Sequence, residues 1–154
     1  MSVVAGEVRG EGRRICIVAS RFNRRVTEAL VTGAIRCLVD RGVREVDIDT
    51  IWVPGAWELP QGVRLALTRG GYDGIVALGC VIRGETAHFE YISLGATVGL
   101  EAVAREAKVP LGFGLLTTES GEQALARAGG AKGNKGEEAA LAVLEMCGLA
   151  DTAQ

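Results

Sequence analysis

The sequence predicts an α/β fold: a three-layer sandwich in which a four-stranded parallel sheet is flanked by helices on both faces. Three observations carry this. Short apolar runs rich in β-branched residues alternate, four times over, with segments of helical period, which is the signature of successive βαβ units. The first of these runs, Ile15–Ala19, is apolar throughout, as a strand covered on both faces must be, while the second, Val46–Val53, alternates before turning apolar. The chain has 154 residues, 48% hydrophobic and 23% charged, which suits one domain and leaves too little for two separate cores.

The elements follow in order. After a polar, glycine-bearing lead from Gly6 to Arg14, Ile15–Ala19 reads as the first buried strand, broken by Ser20-Arg-Phe-Asn23. Asn23 is placed to cap a helix whose apolar face is Val26, Leu30, Ala34, Cys37 and Leu38, and Gly42 stands where a left-handed C-terminal cap belongs. Val46–Val53 is the second strand, stopped by Pro54. A helix from Trp57 tolerates Pro60 in its first turn and ends at Gly70-Gly71. Gly74–Ile82 is the third strand, Arg83-Gly-Glu85 a loop, and Gly84-Glu85-Thr86 opens a long helix that reaches about Lys108. Leu111–Leu116 is the fourth strand, followed by a short helix around Gln123–Ala128, a loop over Gly129–Gly136 and a closing helix over Glu137–Cys147.

Composition narrows the function. Net charge is −2, which argues against a nucleic-acid binder, since those carry a net basic domain or stripe. The longest apolar stretch, Gly74–Ile82, is far short of the roughly 20 residues a membrane helix needs. The opening residues lack the charged start and apolar run of a secretory leader. Cys16, Cys37, Cys80 and Cys147 are scattered through apolar segments with no C-x-x-C pair, so reduced, buried thiols and a cytoplasmic location are expected. One histidine and scattered cysteines give no recognisable metal-ligand set. Glycine is abundant, at 22 residues, and aromatics are only 5%, so the core must be aliphatic.

In an open parallel sheet, ligands bind outside the carboxyl ends of the strands. Those ends are Ser20–Asn23, Val53-Pro-Gly-Ala-Trp-Glu58, Val81–Phe89 and Leu115–Thr118, and polar and aromatic residues crowd them. His88, the only histidine, reads either as a hydrogen-bonded structural residue or as a proton-transfer group near neutral pH. Gly84-Glu85-Thr86 offers backbone N–H groups and a hydroxyl to a phosphate, or Thr86 is simply a helix cap. Gly133-Asn-Lys-Gly136 is a second candidate anion site, while neither the P-loop nor the G-x-G-x-x-G spacing occurs. Glu58 is a surface carboxylate or an acceptor for the hydroxyls of a polyol. Phe22, an aromatic in a polar loop, offers a stacking face to a flat heterocycle, worth about 1–3 kcal/mol by analogy with base stacking.

Taken together, Ser20-Arg-Phe-Asn23, Val53-Pro-Gly-Ala-Trp-Glu58, Arg83-Gly-Glu-Thr-Ala-His-Phe89 and Arg127-Ala-Gly129 with Gly133-Asn-Lys-Gly136 resemble the motifs of the lumazine synthase family, from about Ile15 to Met146. The resemblance implies a flavodoxin-like, homo-oligomeric fold of one domain over residues 1–154, with 1–13 a flexible or interface-pairing segment. It implies condensation of 5-amino-6-(D-ribitylamino)uracil with 3,4-dihydroxy-2-butanone 4-phosphate to 6,7-dimethyl-8-ribityllumazine, without a cofactor, in the penultimate step of riboflavin biosynthesis. By resemblance, Phe22 stacks on the pyrimidine, backbone groups around Val81 and Ile82 read its edge, and Ala56, Trp57 and Glu58 line the ribityl chain. The Glu85 N–H, Thr86 and Arg127 hold the phosphate, and His88 shuttles protons. Phe113, Arg127 and Lys135 come, in the family, from the neighbouring subunit of a pentamer, and pentamers pair or build sixty-subunit shells in some members. Riboflavin synthase is a candidate partner. The sequence departs from the family at Ala131, where a lysine is common; Lys132 follows it, and Lys135 is the lysine assigned to the site.

Two other readings compete: a pentameric riboflavin synthase relative, and a non-catalytic flavin- or lumazine-binding protein. Arg127, Thr86 and His88 together argue against a pure binder, which has no need of a proton shuttle beside a phosphate site. A shell-forming structural role is compatible with catalysis.

Overall fold

A computed structural model describes residues 1–154. Four parallel strands, β1 (Ile15–Ser20), β2 (Ile48–Val53), β3 (Gly74–Ile82) and β4 (Leu111–Thr118), form one sheet in the order β2-β1-β3-β4. The helices are α1 (Arg24–Asp40), α2 (Leu59–Arg69), α3 (His88–Glu106), α4 (Gly121–Ala126) and α5 (Lys135–Asp151). Ile15 pairs with Ile48 on one side and Gly74 on the other, so β1 is central and buried along its whole length.

Strand alternation divides the core between the two faces. Ile15, Ile17 and Ala19 point with Val76 and Leu78 toward Leu30 and Leu38 of α1 and Leu144 of α5. Cys16, Val18, Ile75 and Ala77 point the other way, to Leu59 and Val63 of α2 and Leu100 of α3. Each of these fully buried large aliphatics contributes about 1.5–3 kcal/mol by leaving water, and no aromatic is among the buried residues. The cysteines are free and buried.

The predicted elements are all present, and their edges shift for local reasons. The second strand starts at Ile48 rather than Val46, because Glu45–Asp47 forms a 3₁₀ turn closed by Arg44 Nε on Asp47 at 2.6 Å. Ala56–Glu58 is likewise a 3₁₀ turn, so α2 begins at Leu59 rather than Trp57. Gly84–Thr86 stays outside α3, which begins at His88. The fourth strand runs on to Thr118, and α4 precedes its predicted place because the Ser120 hydroxyl accepts the Gln123 N–H at 3.2 Å and caps it. Gly129–Gly136 is not a plain loop: Ala128–Gly130 (β5) and Gly133–Asn134 (β6) form a small antiparallel hairpin. Asn134 then caps α5, its Oδ1 accepting from Gly136 N at 2.8 Å and Glu137 N at 3.2 Å. Gly42 does take the expected left-handed cap at φ 105°, with the Gly42 and Val43 N–H groups on the Val39 and Leu38 carbonyls.

Residues 1–14 carry no regular element; the Gly10 N–H reaches the Arg41 carbonyl at 2.8 Å and Arg13 pairs with Asp151. No helix is long and apolar enough to cross a membrane.

Candidate active site

The order β2-β1-β3-β4 places the switch in winding direction between β1 and β3, where the loops leaving the two strands part and open a crevice. A cleft of about 610 Å³ lies there, and its walls include Phe22, Ala56, Trp57, Glu58, Val81, Ile82, Thr86 and His88.

Each wall has a local cause. The loop after β1 is held by Arg21 N–H on the Val53 carbonyl at 2.8 Å, Phe22 N–H on the Pro54 carbonyl at 3.1 Å and Asn23 Nδ2 on the Cys80 carbonyl at 2.9 Å. Asn23 is the only non-glycine residue at positive φ, 62°. It stands at the N-cap position of α1 but makes no side-chain cap, contrary to the sequence expectation; its side chain spans to β3 instead. Phe22 is thereby fixed at the backbone while its ring stays 71% exposed. Across the cleft the 3₁₀ turn after β2 buries Ala56, half-buries Glu58 and leaves Trp57 60% exposed. Two fixed, exposed aromatics beside one cavity are apolar surface held ready for a partner.

The third wall is backbone. β1 pairs with β3 only as far as Leu78, whereas β3 continues to Ile82 beside β4 alone. The β1-facing edge of Gly79–Ile82 therefore has no strand partner, and Asn23 takes up only the Cys80 carbonyl. Val81 and Ile82 sit in the cleft wall along this open edge, where backbone donors and acceptors are obligatory hydrogen-bonding groups. Burial pushes the Cys80 thiol up to about 11, so it is protonated at neutral pH and offers no nucleophile.

The fourth wall is the start of α3. Gly84, Glu85 and Thr86 are exposed, and nothing lies within 4 Å of where a Gly84 side chain would begin. The Thr86 hydroxyl accepts the His88 N–H at 3.4 Å, a weak cap, and the Glu90 and Tyr91 N–H groups turn back to the Ala87 carbonyl at 3.0 and 3.4 Å. His88 itself is exposed on the cleft. Arg83 anchors the loop from behind: its N–H meets the Thr118 carbonyl at 2.9 Å, its Nε lies 2.7 Å from Glu119, and its guanidinium sits 4.5 Å over the Phe89 ring.

The remaining predicted residues lie apart. Glu85 is in the loop between Gly84 and Thr86 but outside the cleft wall. Phe113, on edge strand β4, is 48% exposed and lines a separate hollow with Thr97 and Ala104. Arg127, at the end of α4, donates to the Gln123 carbonyl at 3.0 Å. Lys135 lies 3.6 Å from Glu138, and its N–H meets the Arg127 carbonyl at 2.9 Å, so these two cations share one edge of the molecule. No lysine or arginine lines the cleft. Sequence reading passed over Cys80 and Ile92, which do line it; Ile92 stands one turn after His88, and that i, i+4 spacing is the signal that marks it.

A family model described as 6,7-dimethyl-8-ribityllumazine synthase matches residues 12–151, from just before β1 to the last residue of α5. The chain belongs to the 6,7-dimethyl-8-ribityllumazine synthase family. A family member of that name from Gemmatimonas aurantiaca is 54% identical over 99% of this chain and 93% of its own length. Members so named from Lactiplantibacillus plantarum and Pediococcus pentosaceus are 48% and 46% identical, covering 94% and 99% of this chain and 91% and 97% of their own lengths. The family match thus embraces all four cleft walls as well as the separate Arg127–Lys135 edge.

Proposed function

We infer that the chain is a lumazine synthase, a transferase of riboflavin biosynthesis that joins 5-amino-6-(D-ribitylamino)uracil to 3,4-dihydroxy-2-butanone 4-phosphate and releases phosphate and water. The observation that carries this reading is the cleft itself: two exposed rings, an open backbone edge, a carboxylate, a hydroxyl and the only imidazole surround one space. That set suits a flat heterocycle with a hydroxylated arm, met by a second substrate whose protons must move. Phe22 stacks on the pyrimidine, the Val81 and Ile82 backbone reads its edge, and Ala56, Trp57 and Glu58 take the ribityl arm. Glu85 through its N–H, with Thr86 at the start of α3, holds the phosphate. His88 carries protons between the condensing amine, carbonyl and leaving phosphate.

The phosphate needs a cation that the cleft walls lack. Arg127 and Lys135, with Phe113, supply it from a second copy of the chain in a homo-oligomer, so that each cleft is completed by a neighbour. Orientation of two substrates supplies up to about 7–11 kcal/mol, whereas one acid–base group adds about 10²–10⁴-fold, so assembly of the site outweighs the proton shuttle. The protein works in the cytoplasm as a soluble enzyme. Incubating it with both substrates tests the reading: lumazine and phosphate appear together. Riboflavin formed from lumazine alone would instead identify a riboflavin synthase relative, and tight lumazine binding without turnover a binding protein.

A further inference from the structure

α3 carries glycines in its interior at Gly95 and Gly99, one turn apart. Glycine inside a helix is destabilising relative to alanine, so each position calls for a packing reason. At Gly95 the reason is Trp57: a Cβ there would lie 2.5 Å from Cζ3, 3.2 Å from Cε3 and 3.5 Å from Cη2 of the indole. At Gly99 it is Pro60, whose Cγ would be 2.6 Å away. The six-membered half of the indole therefore rests on bare helix backbone, while Trp57 also forms a wall of the cleft next to Glu58. Gly95 is outside the cleft wall, and the atoms its side chain would meet first all belong to this ring.

We propose that Gly95 is a positioning residue for Trp57: the missing side chain sets how closely the indole lies against α3, and so shapes the end of the cleft that receives the hydroxylated arm. The proposal rests on the functional reading above. A methyl group at Gly95 must displace the ring, because aromatic carbons do not approach to 2.5 Å; Trp57 is exposed enough to move without unfolding the chain.

The test uses Trp52→Phe as parent, which leaves Trp57 as the only indole, the chain having two tryptophans. Gly95→Ala in this parent is expected to shift the Trp57 emission. It should raise KM for the ribitylaminouracil roughly tenfold, the worth of about one hydrogen bond to the arm, with kcat and the KM for the butanone phosphate changed less than about twofold. Trp57→Phe carries its own loss, but phenylalanine lacks the outer ring carbons that meet the methyl, so Gly95→Ala added to it brings no further loss. Unchanged emission and KM would overturn the proposal. So would equal losses toward both substrates, or an effect of Gly95→Ala that persists undiminished with Phe at position 57. If the parent turns over neither substrate, the functional reading fails, and the emission shift alone still decides whether Gly95 positions the ring.

Discussion

Asn23 Nδ2 donates to the Cys80 carbonyl at 2.9 Å and so ties the end of β1 to the end of β3 at the point where the sheet reverses its winding. Asn23 does this from a left-handed backbone, φ 62° and ψ 48°, that asparagine tolerates better than most residues. Asn23→Ala loses the bond, leaves a carbonyl without its partner and strains the backbone, so urea melts should show about 1–3 kcal/mol of lost stability. Asn23→Gly loses the bond but relieves the backbone and should be the more stable of the two variants. The reverse order would mean that the left-handed conformation is not what selects asparagine there.

His88→Ala removes the only imidazole on the cleft. Steady-state kinetics should show kcat lower by roughly 10²-fold or more with measurable turnover remaining, because substrate orientation survives the substitution. A change of less than about twofold would remove His88 from proton transfer.

Arg127→Ala deletes a guanidinium whose recorded partner within its own chain is the Gln123 carbonyl. One charged hydrogen bond is worth about 1.5–3 kcal/mol, so KM for the butanone phosphate should rise at least about tenfold while that for the uracil partner holds. A loss confined to the uracil partner would contradict the phosphate role.

Far from the cleft, the Tyr72 hydroxyl donates to Asp49 at 2.6 Å, and this bond, with burial adding, pushes the phenol up to about 12. A phenol raised above its unfolded value near 10 stabilises the fold fully below pH 10, and that contribution disappears as pH climbs toward 12. Melting curves between pH 9 and 11.5, a window about this rise, should fall less for Tyr72→Phe than for the parent. Equal falls would place the alkaline loss elsewhere.

How much of this was legible in the sequence varies with how local the cause is. Ile15, Ile17, Val76 and Leu78 announce buried strands by composition, and they lie in the core as read. The strand ends named Phe22, Trp57, Glu58 and His88, because a parallel sheet gathers its carboxyl ends on one edge and the cleft forms there. The misreadings have causes that sequence spacing does not carry. Asn23 looked like a cap, and only the three-dimensional proximity of Cys80 reveals its partner. Gly129–Gly136 looks like a loop on composition, yet Asn134 both pairs in a hairpin and caps a helix there, its Nδ2 reaching the distant Ala29 carbonyl at 3.1 Å. Gly95 gave no signal at all, since its meaning depends on a ring some forty residues earlier in the chain.

In the proposed assembly, Arg127 of one chain completes the cleft of another. Co-refolding His88→Ala and Arg127→Ala chains in equal amounts, with turnover measured at limiting butanone phosphate, checks this. Random assembly pairs an intact cleft with an intact arginine at about a quarter of the sites, so activity should rise well above the mean of the two variants measured alone. Activity equal to that mean would show that His88 and Arg127 serve the same chain's site, and would contradict the shared cleft.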